Sequence, residues 1–476
     1  MTSVGRFALE SETESNPSYI VFFLALSGAK PLRAQEMVQL WNDSGISQRH
    51  PRLDKSVVER GYFQPSPYSV WTRITDSLFP VQYRTDIMGR VGQLLTQPLD
   101  LTKSLWEMQI ASGGTIGSSG AMSQHQARHS SQQPVESVLF FRAHHSMGDG
   151  MSLGAVLSEL CDEAMEFRNL ISKEYYRRKD KLLKLKWWQK LMLFLQRLVW
   201  LTYGSLESVL YAIYLQLSMP NNPFDVVKRL SSNLVNQPSS MPRTVSWCTA
   251  APLDEVKQVA KAFGKRVTIN DVWAACITHA VGKQLEYHRK RLALVGKDLP
   301  KYSKVNVVIP VHMTGGVLLP KQSLGNNLGA LCVQLPVKGD ESGLQQIHKS
   351  LSWAKRTPTA FLVHLTAKLG SILPPSLTKA AFAKANANAC VSITNVRQPP
   401  HKVHMGGNGQ YTVENMAGFI PLPPGLPIGV VVQSYAGNLS LTLTAEPYAV
   451  PDPDQFLVWV LEEYQRLLKL SSTKLA

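Results

Sequence analysis

The sequence predicts a two-lobed α/β protein with mixed sheets. Three observations carry that expectation. Strand and helix signals alternate in both halves of the chain, without the short regular repeats of a barrel. A basic, then apolar, stretch from Lys173 to Pro220 differs from everything around it and divides the chain. The 476 residues, 44% hydrophobic and 18% charged, suffice for two domains that each bury a sizeable core. On this reading residues 1–172 form an N-terminal lobe, 173–235 a basic and amphipathic helical linker, and 236–476 a C-terminal lobe.

The first element is the apolar run Tyr19 to Leu26. Glu10, Glu12 and Glu14 precede it, where a secretory leader would carry basic residues, so it reads as a buried strand. The active part is therefore expected to face the cytosol. Arg33 to Asn42 reads as a helix, with Met37, Val38, Leu40 and Trp41 apolar, and His50-Pro51 is a break leading into more extended sequence. Pro98-Leu99-Asp100 is a turn leading into the strand Leu105 to Ile110. Ser112 to Pro134 is rich in Ser, Gly and Gln and cannot bury enough apolar surface to order itself. It reads as an expanded, disordered loop at 112–134 joining two paired strands, 105–110 and 137–143. Its His125 and His129 are not taken as ligands.

After the second of those strands comes a helical pattern with Leu153, Val156, Leu157, Leu160 and Ala164 at spacings of three and four. The linker opens with Lys173, Arg177, Arg178, Lys179, Lys181, Lys184, Lys186 and Lys190, interrupted by Trp187-Trp188. Leu191 to Leu217 would make one helix about 40 Å long, enough to cross a bilayer. Arg197 and Glu207 lie inside it, and charges at mid-membrane are costly. A helix lying in the membrane interface fits better; a single span and an ordinary helical linker are the other two readings. Beyond it, an amphipathic helix (Val256, Val259, Ala260, Phe263) stops at Gly264. A long helix opens at Asn270-Asp271 and runs to about Arg291. Strands are expected at 305–311, 330–335, 389–394 and 419–422, with a hairpin of 430–435 and 439–445. A helical stretch to about Ala385 lies among them, and a last helix runs from Pro453 to Leu470.

The formal net charge of +16 points to polyanionic partners: nucleic acid, anionic lipid or a phosphate-bearing cofactor. There is no zinc-finger spacing and no aromatic-basic stripe, which disfavours nucleic acid. The five cysteines (Cys161, Cys248, Cys276, Cys332, Cys390) are scattered and odd in number, which suits buried free thiols rather than a disulfide framework or a metal site.

The chemistry concentrates in His144-His145-Ser146-Met147-Gly148-Asp149-Gly150, where a buried strand, Val138 to Ala143, meets a turn and a helix. Histidine is the side chain suited to take a proton near neutral pH. A buried histidine pair in an ordinary strand-turn-helix corner is the bland alternative. No Ser or Cys stands in a triad-like setting, since the Ser146 side chain is expected to point away from His145. The simplest mechanism is therefore direct: His145 deprotonates an alcohol, which attacks an activated acyl group. Asp149 reads as a turn-forming or ion-paired residue, held by the turn and an arginine, rather than a relay.

These seven residues resemble the HHxxxDG motif of the CoA-dependent acyltransferase superfamily, which includes chloramphenicol acetyltransferase, plant BAHD enzymes and the condensation domains of peptide synthetases. Within it the chain is similar to the bifunctional wax ester synthase/acyl-CoA:diacylglycerol acyltransferase family. Pro98-Leu99-Asp100 with Leu105-Trp106-Glu107, Asn270-Asp271, Gly325-Asn326, Ser392 to Val396 and Ser434 to Leu439 resemble that family's segments, in its order. The 112–134 loop is longer than the family needs, and the Asn395 segment departs from its pattern. The resemblance implies a chloramphenicol acetyltransferase-like fold with an inter-lobe tunnel. Acyl-CoA would enter as co-substrate from one side, and diacylglycerol or a fatty alcohol from the other. His145 would be the base, His144 a structural neighbour, and Gly150 would keep the tunnel open. Gly150, Asn270 and Asp271 would be substrate-binding, with Asn270 either capping its helix or orienting the site. No metal or further cofactor is implied.

Three functions are compatible with these features. One is an acyl-CoA-dependent O-acyltransferase making triacylglycerol or wax ester at a membrane or lipid-droplet surface reached through 173–217, at the endoplasmic reticulum or lipid droplet if the cell is eukaryotic. The second is a condensation-type acyltransferase fed by a carrier protein, for which the chain has no carrier domain. The third is a lipid-binding scaffold without catalysis, which the intact His145 and Asp149 argue against.

Overall fold

The computed structural model describes residues 2–13, 16–58, 62–113, 135–219, 221–231, 242–313, 324–370 and 374–475. Fourteen strands are assigned among them: β1 (Tyr19–Gly28), β2 (Lys55–Val58), β3 (Tyr62–Pro65), β4 (Ile74–Asp76), β5 (Trp106–Ser112), β6 (Ser137–His144), β7 (Thr244–Pro252), β8 (Lys304–His312), β9 (Leu328–Pro336), β10 (Ala389–Arg397), β11 (His404–Met405), β12 (Tyr411–Phe419), β13 (Ile428–Tyr435) and β14 (Asn438–Ala445). They build two six-stranded sheets, ordered β11-β12-β1-β6-β5-β4 and β7-β14-β13-β10-β8-β9, and one small hairpin, β2-β3. Both large sheets are mixed, as expected: β4 runs parallel to β5, and β10 parallel to β8 and β13, among antiparallel neighbours.

Strand β1 is apolar throughout because both its faces are covered. Ile20, Phe22, Leu24 and Leu26 face one core of the first lobe, together with Trp41, Trp106 and Phe141. Val21, Phe23 and Ala25 face a second layer with the helix Arg84–Thr96 and Trp247. The expected pairing across the 112–134 segment holds: β5 and β6 are antiparallel from Trp106↔Ala143 to Ser112↔Ser137. Residues 114–134 themselves, with His125 and His129, lie outside the described residues.

Three expectations need correction. The boundary at 236 does not divide the fold, because β11 and β12 cross over to pair in the first sheet, with β12 against β1 from Val21↔Phe419 to Gly28↔Tyr411. The strand expected at 419–422 is this β12, which ends where that run was to begin. Pro421, Pro423 and Pro424 lack the N–H that a ladder needs. Finally, the helix after the motif stops at Ser158 and a second starts at Ala164. The residues between them are diverted to the crossover: Asp162 accepts from the Gly407 and Gly409 amides at 3.0 and 2.9 Å, and Glu163 from the His404 amide at 3.0 Å.

The linker helix spans Trp187–Ser218, about 48 Å at 1.5 Å per residue. Its C-terminal half, from Trp200 onward, docks on the Arg356 turn and the edge strand β9, while residues 187–199 are almost all exposed. Tyr211 Oη accepts from the Gln334 amide at 3.0 Å, and the Tyr211 ring packs edge-on to Trp353 at 4.4 Å. Gly204 allows the closest approach: a Cβ there would collide with the Pro358 ring. The opposite face carries Trp187, Phe194, Tyr203, Leu206, Leu210 and Leu217, all exposed, Tyr203 and Leu217 each by 77%.

Candidate active site

The two histidines sit where β6 runs out of partners on both sides. The His144 amide still donates to Leu105 O, and the His145 amide to Ser18 O, both at 2.8 Å. The chain then turns, with the Met147 amide donating to His144 O at 3.0 Å. Asp149 begins the helix Gly150–Ser158 as its N-cap, its Oδ1 accepting from the Ser152 amide at 2.9 Å. Leu153, Val156 and Leu157 anchor this helix in the first core.

A loop from the other half of the chain clasps the turn. The Asp149 amide donates to Gly325 O at 3.2 Å, and Ser152 Oγ to the same carbonyl at 2.9 Å. Asn326 Nδ2 donates to His145 O at 2.8 Å, and the Asn327 amide to Asp149 Oδ2 at 3.0 Å. So Asp149 caps its own helix with Oδ1 and latches the two halves together with Oδ2. Gly148 is tightly enclosed: a Cβ there would meet Ser152 Oγ at 2.6 Å and, across the halves, Leu324 Cδ2 at 3.4 Å. At Gly150, by contrast, a Cβ would meet nothing within 4 Å, so the helix start opens onto free space.

His145 is partly exposed, while its Nδ1 is buried without a hydrogen-bond partner among the described residues. Asn326 Oδ1 is in the same condition. Buried polar atoms left without partners are costly, and two of them side by side leave hydrogen-bonding capacity that a bound molecule or water could take up. Burial pushes the His145 imidazole below its ordinary range, while its own carbonyl and the Asp149 carboxylate pull it back. A pKa held below the ordinary value favours the neutral form, which a general base needs. His144 is fully buried, its Nδ1 2.7 Å from Ser146 Oγ and its Nε2 3.0 Å from Glu12 Oε2. Ser146 thus turns away from His145, as expected, and addresses His144 instead.

The expected arginine partner of Asp149 is absent among the described residues. Arg52 approaches the turn but donates to Met147 O at 3.4 Å. The basic group facing Asp149 Oδ2 is His312 at the end of β8, at 3.7 Å. The cap expected of Asn270 also needs correction. The helix Ile269–Ala293 is capped by Thr268, with Asp271 Oδ2 accepting from the Thr268 amide at 2.8 Å. Asp271 is buried and its Oδ2 lies 2.9 Å from His348 Nδ1, while its Oδ1 has no hydrogen-bond partner among the described residues. Asn270 is exposed and bonds to Asn395 of β10. Neither shares a hydrogen bond with the motif among the described residues. Sequence reasoning missed Glu12, His312 and Asn327 as parts of the site. Gly325-Asn326 stood out only as a family-like segment.

Comparison with known proteins agrees with this architecture. The wax ester synthase/diacylglycerol acyltransferase catalytic domain matches residues 137–273, and the WS/DGAT C-terminal domain matches residues 324–468. The chain is 24% identical over 399 residues to wax ester synthase/diacylglycerol acyltransferase 5 of Arabidopsis thaliana, covering 76% of this chain and 71% of that one. Its fold is similar to that of the wax ester synthase/diacylglycerol acyltransferase from Marinobacter aquaeolei VT8, with a TM-score of 0.58, 14% identity and 98% of both chains covered. The first condensation domain of the calcium-dependent antibiotic synthetase also shares the fold, at TM-score 0.54 and 13% identity, over 100% of this chain and 96% of that one.

Proposed function

The chain belongs to the wax ester synthase/diacylglycerol acyltransferase family, and from that premise we propose how its residues perform acyl transfer. The reaction takes a fatty acyl group from acyl-CoA to diacylglycerol or a long-chain alcohol, forming triacylglycerol or wax ester. His145, partly exposed and with its backbone held from both halves of the chain, is the observation that carries the assignment of the base. His145 takes the hydroxyl proton as the acceptor oxygen attacks the thioester carbonyl. The C–O bond forms, the C–S bond breaks, and the proton passes from His145 to the departing CoA thiolate. Asp149 holds no proton in this scheme; it keeps the turn and the Gly325–Asn327 loop in register. Gly150 leaves the space that an acyl or alcohol chain would fill.

The greasy acceptor is drawn from a lipid surface. Lys173, Arg177 and Lys181 on the helix Ala164–Leu183 attract anionic lipid, and the exposed apolar face of Trp187–Ser218 enters it. This reading favours the interfacial helix over a span, since the C-terminal half of the helix is docked on β9. It puts the enzyme on a membrane or lipid droplet, facing the cytosol. CoA release from long-chain acyl-CoA, with diacylglycerol and fatty alcohol compared side by side in wild type and His145→Ala, tests the assignment. No release with either acceptor, or full release by His145→Ala, would overturn it.

A further inference from the structure

The N-terminal helix Ser3–Ser11 is capped by Thr2, whose Oγ1 accepts from the Gly5 amide at 3.1 Å. It packs against the helices Thr359–Gly370 and Pro375–Asn386 of the other half. Its Gly5 lies directly on the motif turn: a Cβ there would collide with Ser146 O and fall 3.2 Å from Asn326 Nδ2. The helix ends at Ser11, and Glu12 turns extended, with φ −71° and ψ 158°. That turn aims its carboxylate at the floor of the motif.

Two routes lead from Glu12 to His145. The first runs through His144, whose Nε2 is 3.0 Å from Glu12 Oε2. The Ser146 amide, which can only donate, points at His144 Nδ1 from 3.1 Å. Nδ1 is therefore the acceptor, so the neutral ring carries its proton on Nε2 and donates it to Glu12. A partly buried hydrogen bond to a carboxylate of this kind fixes both tautomer and ring orientation. The second route runs through Ser18. Its amide donates to Glu12 Oε2 at 3.3 Å, and its carbonyl accepts from the His145 amide at 2.8 Å. One carboxylate oxygen thus organises the side chain of the first histidine and the backbone of the second.

We infer that Glu12 is a positioning residue for acyl transfer, holding His144 and Ser18 so that the turn presents His145 to the substrate. The inference rests on the assignment of His145 as the base. Glu12 itself touches no substrate. Its effect is on the geometry of the reacting group, where a displacement of an ångström is costly in rate.

The test compares Glu12→Gln with Glu12→Met, side chains of similar length of which only Gln offers an acceptor oxygen. Steady-state kcat and KM for acyl-CoA are measured in both, beside His145→Ala, with melting temperatures recorded. Glu12→Gln is expected to keep kcat within about fivefold of wild type, because a neutral acceptor replaces a charged one. Glu12→Met is expected to lose between about tenfold and a hundredfold in kcat, with KM unchanged. Should the Met variant fail to fold, Glu12→Ala carries the same expectation. Equal kcat in Gln and Met would overturn the inference, leaving Glu12 a filler of space. So would a loss confined to KM. If His145→Ala stays active, the assignment of the base fails as well; if it is inactive while Gln and Met are equal, only the role of Glu12 falls.

Discussion

The turn His144–Gly150 and the helix Trp187–Ser218 are held in opposite ways. The turn is gripped from three directions: by β1 and β5 through the backbone, by the Gly325–Asn327 loop through Asp149 and His145, and by the N-terminal segment through His144. Its histidine retains an unpaired nitrogen, yet every neighbour is fixed. The helix is gripped along one face only, by Tyr211, Tyr214 and Gly204 against β9 and Pro358, and gives the other face to the surroundings. The contrast separates two demands. Proton transfer needs a group held to a fraction of an ångström, whereas reaching a fluid lipid surface needs apolar area and charge but little geometry.

Removing the base breaks the first half of that comparison most severely. His145→Ala should lower kcat by about a hundredfold to ten-thousandfold, the usual worth of general base catalysis, while the melting temperature stays close to wild type. Next comes the paired substitution of Gly148 and Gly150. Gly148→Ala pushes Ser152 off Gly325 O and should cost about 1–3 kcal/mol, read as a lowered melting temperature together with lost activity. Gly150→Ala meets no neighbour, so it should leave the melting temperature unchanged and alter only which chain lengths are accepted.

The acid limb of the rate profile is a smaller effect. Since burial lowers the His145 pKa, the limb of kcat/KM should fall below the ordinary histidine value of about 6.5. The same shift acts on stability. Below that ordinary value the unfolded chain takes up a proton that the folded chain refuses, so this residue makes the protein less stable as pH falls towards the folded pKa. A melting series from pH 7 to 5, comparing wild type with His145→Gln, isolates the contribution: the acid-side loss should be shallower in the variant. Smallest in stability, and sharpest as a contrast, is the triple change Phe194→Ser, Leu206→Ser, Leu217→Ser on the exposed helix face. Each substitution should move folding stability by no more than about 0.5 kcal/mol. Flotation with anionic vesicles should nevertheless drop, and wild-type binding should itself weaken as salt rises. Unchanged flotation would sink the lipid-surface role.

The two regions also differ in how much of them the sequence discloses. The helix is legible as a length, a composition and a run of charges, because those are local properties. The docking of its inner face is not, since Tyr211 and Gln334 are far apart in sequence. In the motif, His145, the strand before it and the helix after it emerge from local pattern and chemistry. The cap on the next long helix misleads, because Asn270 suits that role by type and Thr268 performs it by position. The latch on Asp149 is invisible for a different reason. Its donors are mostly backbone amides of residues 152 and 327, and a backbone amide has no sequence signature. Glu12 is visible in the sequence only as one of three acids that argue against a leader peptide. Its aim at His144 depends on where a nine-residue helix ends.

The crossover of β12 into the first sheet has a consequence for synthesis. Strand β1 leaves the ribosome early, but its neighbour β12 emerges about 400 residues later. At about 5–20 residues per second, β1 waits on the order of 20–80 s for that partner. Through that interval Val21, Phe23 and Leu24 line an open sheet edge, the kind of surface that recruits other strands. Closing so long a loop costs little in equilibrium stability, because the entropy grows only with the logarithm of length. The burden falls on the nascent chain instead. The first lobe produced alone, without residues 404–419, should be insoluble, and the full protein should depend on chaperones that shield an apolar edge until translation nears its end.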